Sequence, residues 1–412
     1  RQSQYTEYNG NTKKALSWGR VMLKDPQMTL RTDTLQFDRE KQLLYYRYSA
    51  TIQDSINTLT SDTGNYYLSL NKFQAISDVV LTNPDYVLNS NHLDYYTDGG
   101  KAFLYGESTI RSDDNLIFCK KGFYDTKTDV SYFTRDARIE FDNKEIKADS
   151  LYYNRNLGFA SANENIVIID TLNNSVLKGN YAEFFEKVDS AFVVGRAVAI
   201  TNTHKDSLFI HGDTILATGV PEERIIRCYH HDKFFKSDLS GKCDSIHSNQ
   251  GTGLTQMFVK PILWSDGSQI TGDTIQLLND TEEDRLDSLK VLYNAFIINK
   301  DSMGYNQIKG RNLFGKFEDN DLRFVNVVGN GEIIHYVRDE AQELIGIEKT
   351  SCSEIHFLLR ESKIEQARFI NQPDGQTYPP SKLPKNARKL RGFNWRESEQ
   401  PRSKEDIFIK DD

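Results

Sequence analysis

Carboxylates return along this chain at near-regular intervals: Asp33, Asp62, Asp149, Asp213, Asp244 and Asp273. Acids in such a series suggest a ladder of calcium sites, and calcium takes six to eight oxygens at about 2.3–2.6 Å. Carboxylates one repeat apart on a sheet lie two strand spacings, roughly 10 Å, from each other and cannot converge on one ion. Each acid therefore reads as a corner residue that bonds its own backbone. Adjacent acids at Glu222-Glu223 and Glu282-Glu283-Asp284 have the residue types for glycoside hydrolysis, which needs two carboxyls about 5–9 Å apart. Both runs sit in polar loops and read as solvated. His230 and His231 are neighbours, and neighbours on a strand point to opposite faces, so they make no metal site. No Gly-rich phosphate loop, Gly-x-Ser-x-Gly elbow or His-Glu-x-x-His occurs. No catalytic residue, metal or cofactor is expected, and the chain does not read as an enzyme.

The four cysteines, Cys119, Cys228, Cys243 and Cys352, include no Cys-x-x-Cys, so zinc-site spacing is absent. Most occupy slots filled elsewhere by small residues, which makes buried thiols of them. Cys228 and Cys243 are the pair able to meet across neighbouring strands, and whether they form a disulfide stays open.

These residues are set in a composition that favours strands. Only 38% of the 412 residues are hydrophobic, yet there are 21 Tyr and 23 Phe. A disordered chain lacks such aromatics, whereas Tyr, Thr, Val and Ile suit half-buried pleated surfaces. A net charge of -8 offers no general attraction to nucleic acid. No apolar run approaches the roughly 20 residues of a membrane helix. The chain opens at Arg1 without Met or an apolar leader and is expected to be a mature product whose signal peptide has been removed.

One phrase repeats: Leu59-Thr-Ser-Asp-Thr-Gly64, Leu88-Asn-Ser-Asn-His-Leu93, Ile146-Lys-Ala-Asp-Ser-Leu151, Ile210-His-Gly-Asp-Thr-Ile215 and Ile270-Thr-Gly-Asp-Thr-Ile275. Its central small residue falls at Thr32, Ser61, Ser90, Cys119, Ala148, Gly179, Gly212, Cys243, Gly272 and Gly310, with the first four spacings all 29. Five residues later stands an aromatic at Phe37, Tyr66, Tyr95, Tyr124, Tyr153 and Phe184. The period of two in Ala102, Leu104, Gly106, Ser108 and Ile110 marks a strand with one dry face. Within the phrase the inward positions step by two, then three, then two, and a parity slip of this kind marks a bulge or corner. The small residue then sits where two sheets pinch together. The expected fold is all-β: an elongated β-jelly-roll stack of bent antiparallel strands, built from roughly 29-residue two-strand repeats. Shared register on the dry face predicts that Leu59, Leu88, Leu104, Ile110, Ile117, Ile146 and Leu177 line its apolar trough.

Three blocks follow: repeats over 1–219, continuing β repeats over 220–372, and a tail over 373–412. Five of the nine prolines lie beyond residue 372, and Gly375 to Arg396 holds six basic residues and no acid. Proline removes ladder donors, so the tail is expected to leave the sheet. It is either a solvated extension or a docking arm whose apolar anchors are Leu390, Phe393 and Trp395.

With its repeats in view, the sequence resembles the OstA-like proteins of lipopolysaccharide transport, relatives of LptA, LptC and the N-terminal domain of LptD. The resemblance rests on Ile146-Lys-Ala-Asp-Ser-Leu-Tyr-Tyr153 with Gly158-Phe-Ala-Ser-Ala162, on Ile270-Thr-Gly-Asp-Thr-Ile275, and on Tyr305-Asn-Gln-Ile-Lys-Gly310 and Leu390-Arg-Gly-Phe-Asn-Trp395. It implies a β-taco trough that shields lipid A acyl chains in the periplasm of a Gram-negative envelope. It also implies partnership with other Lpt-type or outer-membrane components and end-to-end self-association. Two rivals share the alternation. An outer-membrane barrel needs an apolar outer face, where this chain has Lys101, Glu107, Glu145, Lys147 and Asp149. A parallel β-helix that binds or degrades polysaccharide is the other.

Overall fold

Period-two alternation becomes antiparallel strand throughout, in a computed structural model that describes all residues except 1, 25–27, 173, 203–205, 221–222, 282–284, 319–320, 340, 361–362 and 411–412. The Glu282-Glu283-Asp284 run and Glu222 lie outside the described residues, while Glu223 is exposed. Every pairing among the described residues is antiparallel, as in Tyr86–Tyr96 with Lys101–Arg111 and Asn115–Asp125 with Val130–Phe141. This overturns the parallel β-helix. Short turns, as at 84–85, 97–100 and 302–303, join paired neighbouring strands, so each repeat is a hairpin rather than a coil of a solenoid.

The chain divides into two compact units, Arg1–Leu172 with Val176–Lys187, and Asn173–Ser175 with Val188–Asp412. Ser207–His211 and Thr214–Thr218 both pair with the downstream strand Ile225–Phe235.

In the first unit each strand bends at the repeated small residue. Phrase strands place Leu88, Ser90, Leu93 and Tyr95 inward, slipping by three, while return strands place Phe73, Ala75, Val79 and Leu81 inward, slipping by four. The difference is a bulge in which two residues oppose one: Ser77-Asp78 against Asn91, and Arg135-Asp136 against Asp149. Both residues of each pair are left-handed, with φ of 63° and 46° at Ser77 and Asp78 and 61° and 58° at Arg135 and Asp136. Gly106, φ 81°, takes the same place in Lys101–Arg111 and is exposed rather than facing inward.

Three of the phrase acids bond across strands rather than to their own backbone. Asp149 accepts a hydrogen bond from the Asn165 side chain at 2.9 Å, Asp273 accepts from Asn294 at 3.1 Å, and His231 meets Asp213 at 2.8 Å. Each partner is a left-handed bulge residue of an adjoining strand. Left-handed backbone costs an L-residue roughly 1–2 kcal/mol, and these contacts help to hold it. The small column is buried at Ser61, Ser90, Cys119 and Ala148. A Cβ on Gly310 would collide with Val327, and one on Gly272 with Val291.

The tail departs from expectation. Asp374–Tyr378 stays in the ladder, pairing with Leu344–Arg360 from Ser351↔Asp374 to Ile347↔Tyr378. Pro373 and Pro379 flank this strand and deprive it of no donor. Beyond it, Leu383, Leu390 and Ile407 are buried.

Candidate functional site

Bending every strand at one position gives the first unit two facing walls. One is a single cross-strand column of aliphatics: Leu30↔Ile52↔Leu59↔Leu81↔Leu88↔Ile110↔Ile117↔Ile139↔Ile146↔Ile168. Since strand neighbours stand about 4.8 Å apart, this column is a continuous apolar stripe. The facing wall alternates large and small residues in register, Tyr95↔Ala102↔Tyr124↔Ser131↔Tyr153↔Ala160. Each small residue leaves a hollow between two rings.

Hollows of this kind open into two cavities. The larger, about 370 Å³, is lined by Leu59, Leu88, Tyr66, Phe73, Tyr86 and Tyr95 among others. A smaller one of about 70 Å³ is lined by Leu88, Ile110, Ile117, Tyr124 and Phe133. Burial pushes the Tyr86 hydroxyl up to about 12. Burial and the neighbouring Asp129, which accepts the Tyr124 hydroxyl at 2.9 Å, also raise the pKa of Tyr124. The wall therefore presents neutral phenols at physiological pH. Asp54, Asn57 and Thr126 stand with the apolar groups of the larger cavity, and Asp85, Ser112, Asn115 and Arg155 with those of the smaller. The arrangement offers apolar depth and a wet margin.

Four of the seven residues predicted for the trough line these cavities: Leu59, Leu88, Ile110 and Ile117. Leu104 is fully buried on the second wall, where its Cδ1 would lie 3.0 Å from a Cβ at Gly122. Ile146 is half-buried in the aliphatic column, and Leu177 is half-buried in Ser175–Phe185. Sequence reasoning passed over the aromatic wall: Tyr66, Phe73, Tyr86, Tyr95 and Tyr124. The signal was present, since Tyr66, Tyr95 and Tyr124 stand five residues after each small position.

Leu390, Phe393 and Trp395 are not presented for docking. They pack with Leu383 against Phe296, Ile298, Ile334, Tyr336 and Ile347 of the second unit. Two fully buried glutamines hold the tail backbone. Gln307 donates to the Arg388 carbonyl at 2.8 Å and accepts from the Leu390 N–H at 2.8 Å. Gln269 donates to the Asn394 carbonyl and accepts from the Arg396 N–H, both at 2.7 Å. Lys242 reaches Glu399 at 2.5 Å, and Lys300 reaches Glu397 at 3.2 Å. The tail's anchors are engaged within its own chain, so the docking arm is withdrawn.

All four cysteines are free and buried. Cys228 faces Ile246 in register and Cys243 faces Asp232, and burial pushes the Cys119 thiol up to about 12. Among the described residues no group of three or more His, Cys, Asp or Glu is placed to hold a metal ion. Among them also, no helix is long and apolar enough to cross a membrane.

Residues 2–91 match the family of OstA-like proteins, so the resemblance read from the repeats holds for that segment. Among solved structures, LptH, the LptA-homologous periplasmic component of the lipopolysaccharide transport device of Pseudomonas aeruginosa, is similar at 19% identity and a TM-score of 0.24. That match covers 26% of this chain and 75% of LptH. The WD40 domain of SCAP from fission yeast is similar at 8% identity and a TM-score of 0.15, over 75% of this chain and 87% of that one. No curated protein matches.

Proposed function

We propose that the first unit carries or shields the acyl chains of a lipopolysaccharide-type amphiphile, in an envelope compartment such as the periplasm. The observation that carries this reading is the unbroken aliphatic column from Leu30 to Ile168 facing a hollowed aromatic wall. A chain methylene loses about 0.8 kcal/mol on transfer to water, so a carrier needs apolar lining along its whole path rather than one deep pocket. The OstA-like match over residues 2–91 lies within this unit and supports the lipid class. The reading requires no catalysis and no cofactor. Association with other transport components through a strand edge belongs to it as well: Tyr5–Asn9 is exposed and pairs with Lys14–Lys24, and such an edge accepts a further strand.

Photo-crosslinking amino acids placed one at a time in a Gram-negative envelope test the trough. Capture of lipopolysaccharide is expected at Leu59, Leu88, Ile110 and Ile117, and none at the exposed Lys101, Glu107 and Lys147. Equal labelling of both faces would discard the trough as the lipid path.

A further inference from the structure

The second unit holds its own cavity, about 470 Å³, within the 300–1,000 Å³ range of small-molecule sites. Its deep lining is apolar: Leu263↔Ile270↔Ile297↔Ile308↔Ile333 form one register column, with Val325 and Phe357 also in the lining. Two residues further along the same strands the inward column turns polar, as Ser268↔Asn299↔Asn306 and then His335↔Glu348. In the first unit the strands end near this point in turns. In the second they continue for 15 to 18 residues over Arg285–Asp301, Gly304–Glu318 and Asp321–Arg338, so the polar row is built on strands.

Most groups of this polar region already have partners. Arg338 clamps Asp301 through two hydrogen bonds, at 3.0 and 2.7 Å, and Lys300 pairs with Glu397. Asn299 donates to Ser268 at 3.1 Å, and Asn306 accepts the Tyr336 N–H at 2.8 Å. His335 is the exception, since its Nδ1 is buried with no hydrogen-bond partner among the described residues, on a side chain that lines the cavity. Burial lowers its pKa, opposed by the nearby Glu348 and Asp301, so the ring is neutral. A buried polar atom left unpaired costs about 1–3 kcal/mol, and a turn of the ring toward the cavity would offer Nδ1 to a ligand hydroxyl and relieve that cost.

We propose that this cavity seats one single-chain amphiphile with a neutral, hydroxylated headgroup, its chain along Ile270, Ile297, Ile308 and Ile333 and a headgroup hydroxyl on His335 Nδ1. The cations at the mouth are matched by Asp301 and Glu397, so an anionic headgroup gains nothing to offset its desolvation. A neutral polyol meets a hydrogen-bonding row. The site is lined by second-unit residues alone and does not depend on how the first-unit trough is used.

Native mass spectrometry and calorimetry on the full chain, with monolauroylglycerol and laurate as matched probes, test this. One equivalent of monolauroylglycerol that depends on Ile308 is expected, with laurate at least tenfold weaker at that same site. Ile308→Trp, which fills the cavity, abolishes that equivalent, and Leu88→Trp in the first unit leaves it intact. His335→Ala weakens binding about tenfold, the effect of one good hydrogen bond. Laurate binding as well as the glyceride overturns the headgroup assignment. Full binding by Ile308→Trp, or loss of binding in Leu88→Trp alone, overturns the cavity.

Discussion

The two units use the same repeat in different ways, and one position shows how. Three residues before the small residue, on the outward face, the first unit has Thr29, Thr58, Val87, Leu116, Glu145 and Val176, all half-buried, with Glu145 beside the exposed Lys147 and the ion-paired Arg138. At the same phrase position the second unit has Gln269 and Gln307, both fully buried. Strands of the first unit bury one face. Those of the second bury both, as in the run Phe296-Ile297-Ile298 and the pair Ile333-Ile334. The cause is the tail, which lies across the outward face and exchanges backbone hydrogen bonds with both glutamines. A face meant for water can carry charge, whereas a face meant for a strap needs side chains that imitate a strand edge. Glutamine, with one donor end and one acceptor, does so.

The largest expected effect that would break this comparison is removal of the tail. Truncation after Tyr378 takes away Leu383, Leu390 and Ile407, each about 1.5–3 kcal/mol of burial before ordering costs. A net loss on the order of 4 kcal/mol is expected in the second unit and none in the first. Hydrogen exchange should show new exposure at Phe296–Ile298 and Ile334, with Leu88–Leu93 unchanged. Protection that stays equal in both units would mean the strap is ornamental.

A second test uses charge. Asp232 is fully buried, follows the left-handed pair His230-His231, and has no side-chain hydrogen-bond partner for either carboxylate oxygen among the described residues. First-unit strands have Val79 or Ala137 at that place. Burial raises its pKa to about 8. Above a pH of about 4 the unfolded chain releases this proton, while the folded chain keeps it until about pH 8. Stability of the second unit should therefore fall as pH rises across that window, by about 1.4 kcal/mol per unit where the two states differ fully. Asp232→Val should remove the slope and add on the order of 3 kcal/mol at pH 8. Urea melts followed at Trp264, in a Trp18→Phe background, read this; parallel pH profiles for variant and parent would refute it.

Smaller effects sharpen the shared part of the design. Ala148→Phe crowds the corner facing Ala137 and should cost about 1–3 kcal/mol of first-unit stability. Asp149→Ala removes one exposed hydrogen bond to Asn165 and should cost about 1 kcal/mol or less. Trp18 fluorescence in urea distinguishes them, and coincident midpoints would mean the pinch lies elsewhere.

By itself the sequence determined what depends on near neighbours. Strand alternation, the 29-residue period and the slip of three at each phrase are steric and periodic, and they place Leu59, Leu88, Ile110 and Ile117 on one face before any tertiary contact is known. The aromatics at Tyr66, Tyr95 and Tyr124 were visible too, but their role as a wall depends on which residues they face across the bend. Only the tertiary structure decided the rest. Nothing in the local pattern marks Gln269 and Gln307 for burial, and segments 125 and 83 residues away arrive to bond them. Leu390 and Trp395 read as free anchors for the same reason. Nothing in the alternation marks Asp232 for burial, which appears only when the bulge turns it inward. Local periodicity is written in one strand at a time, whereas what covers a face is set by a segment that the sequence places far away.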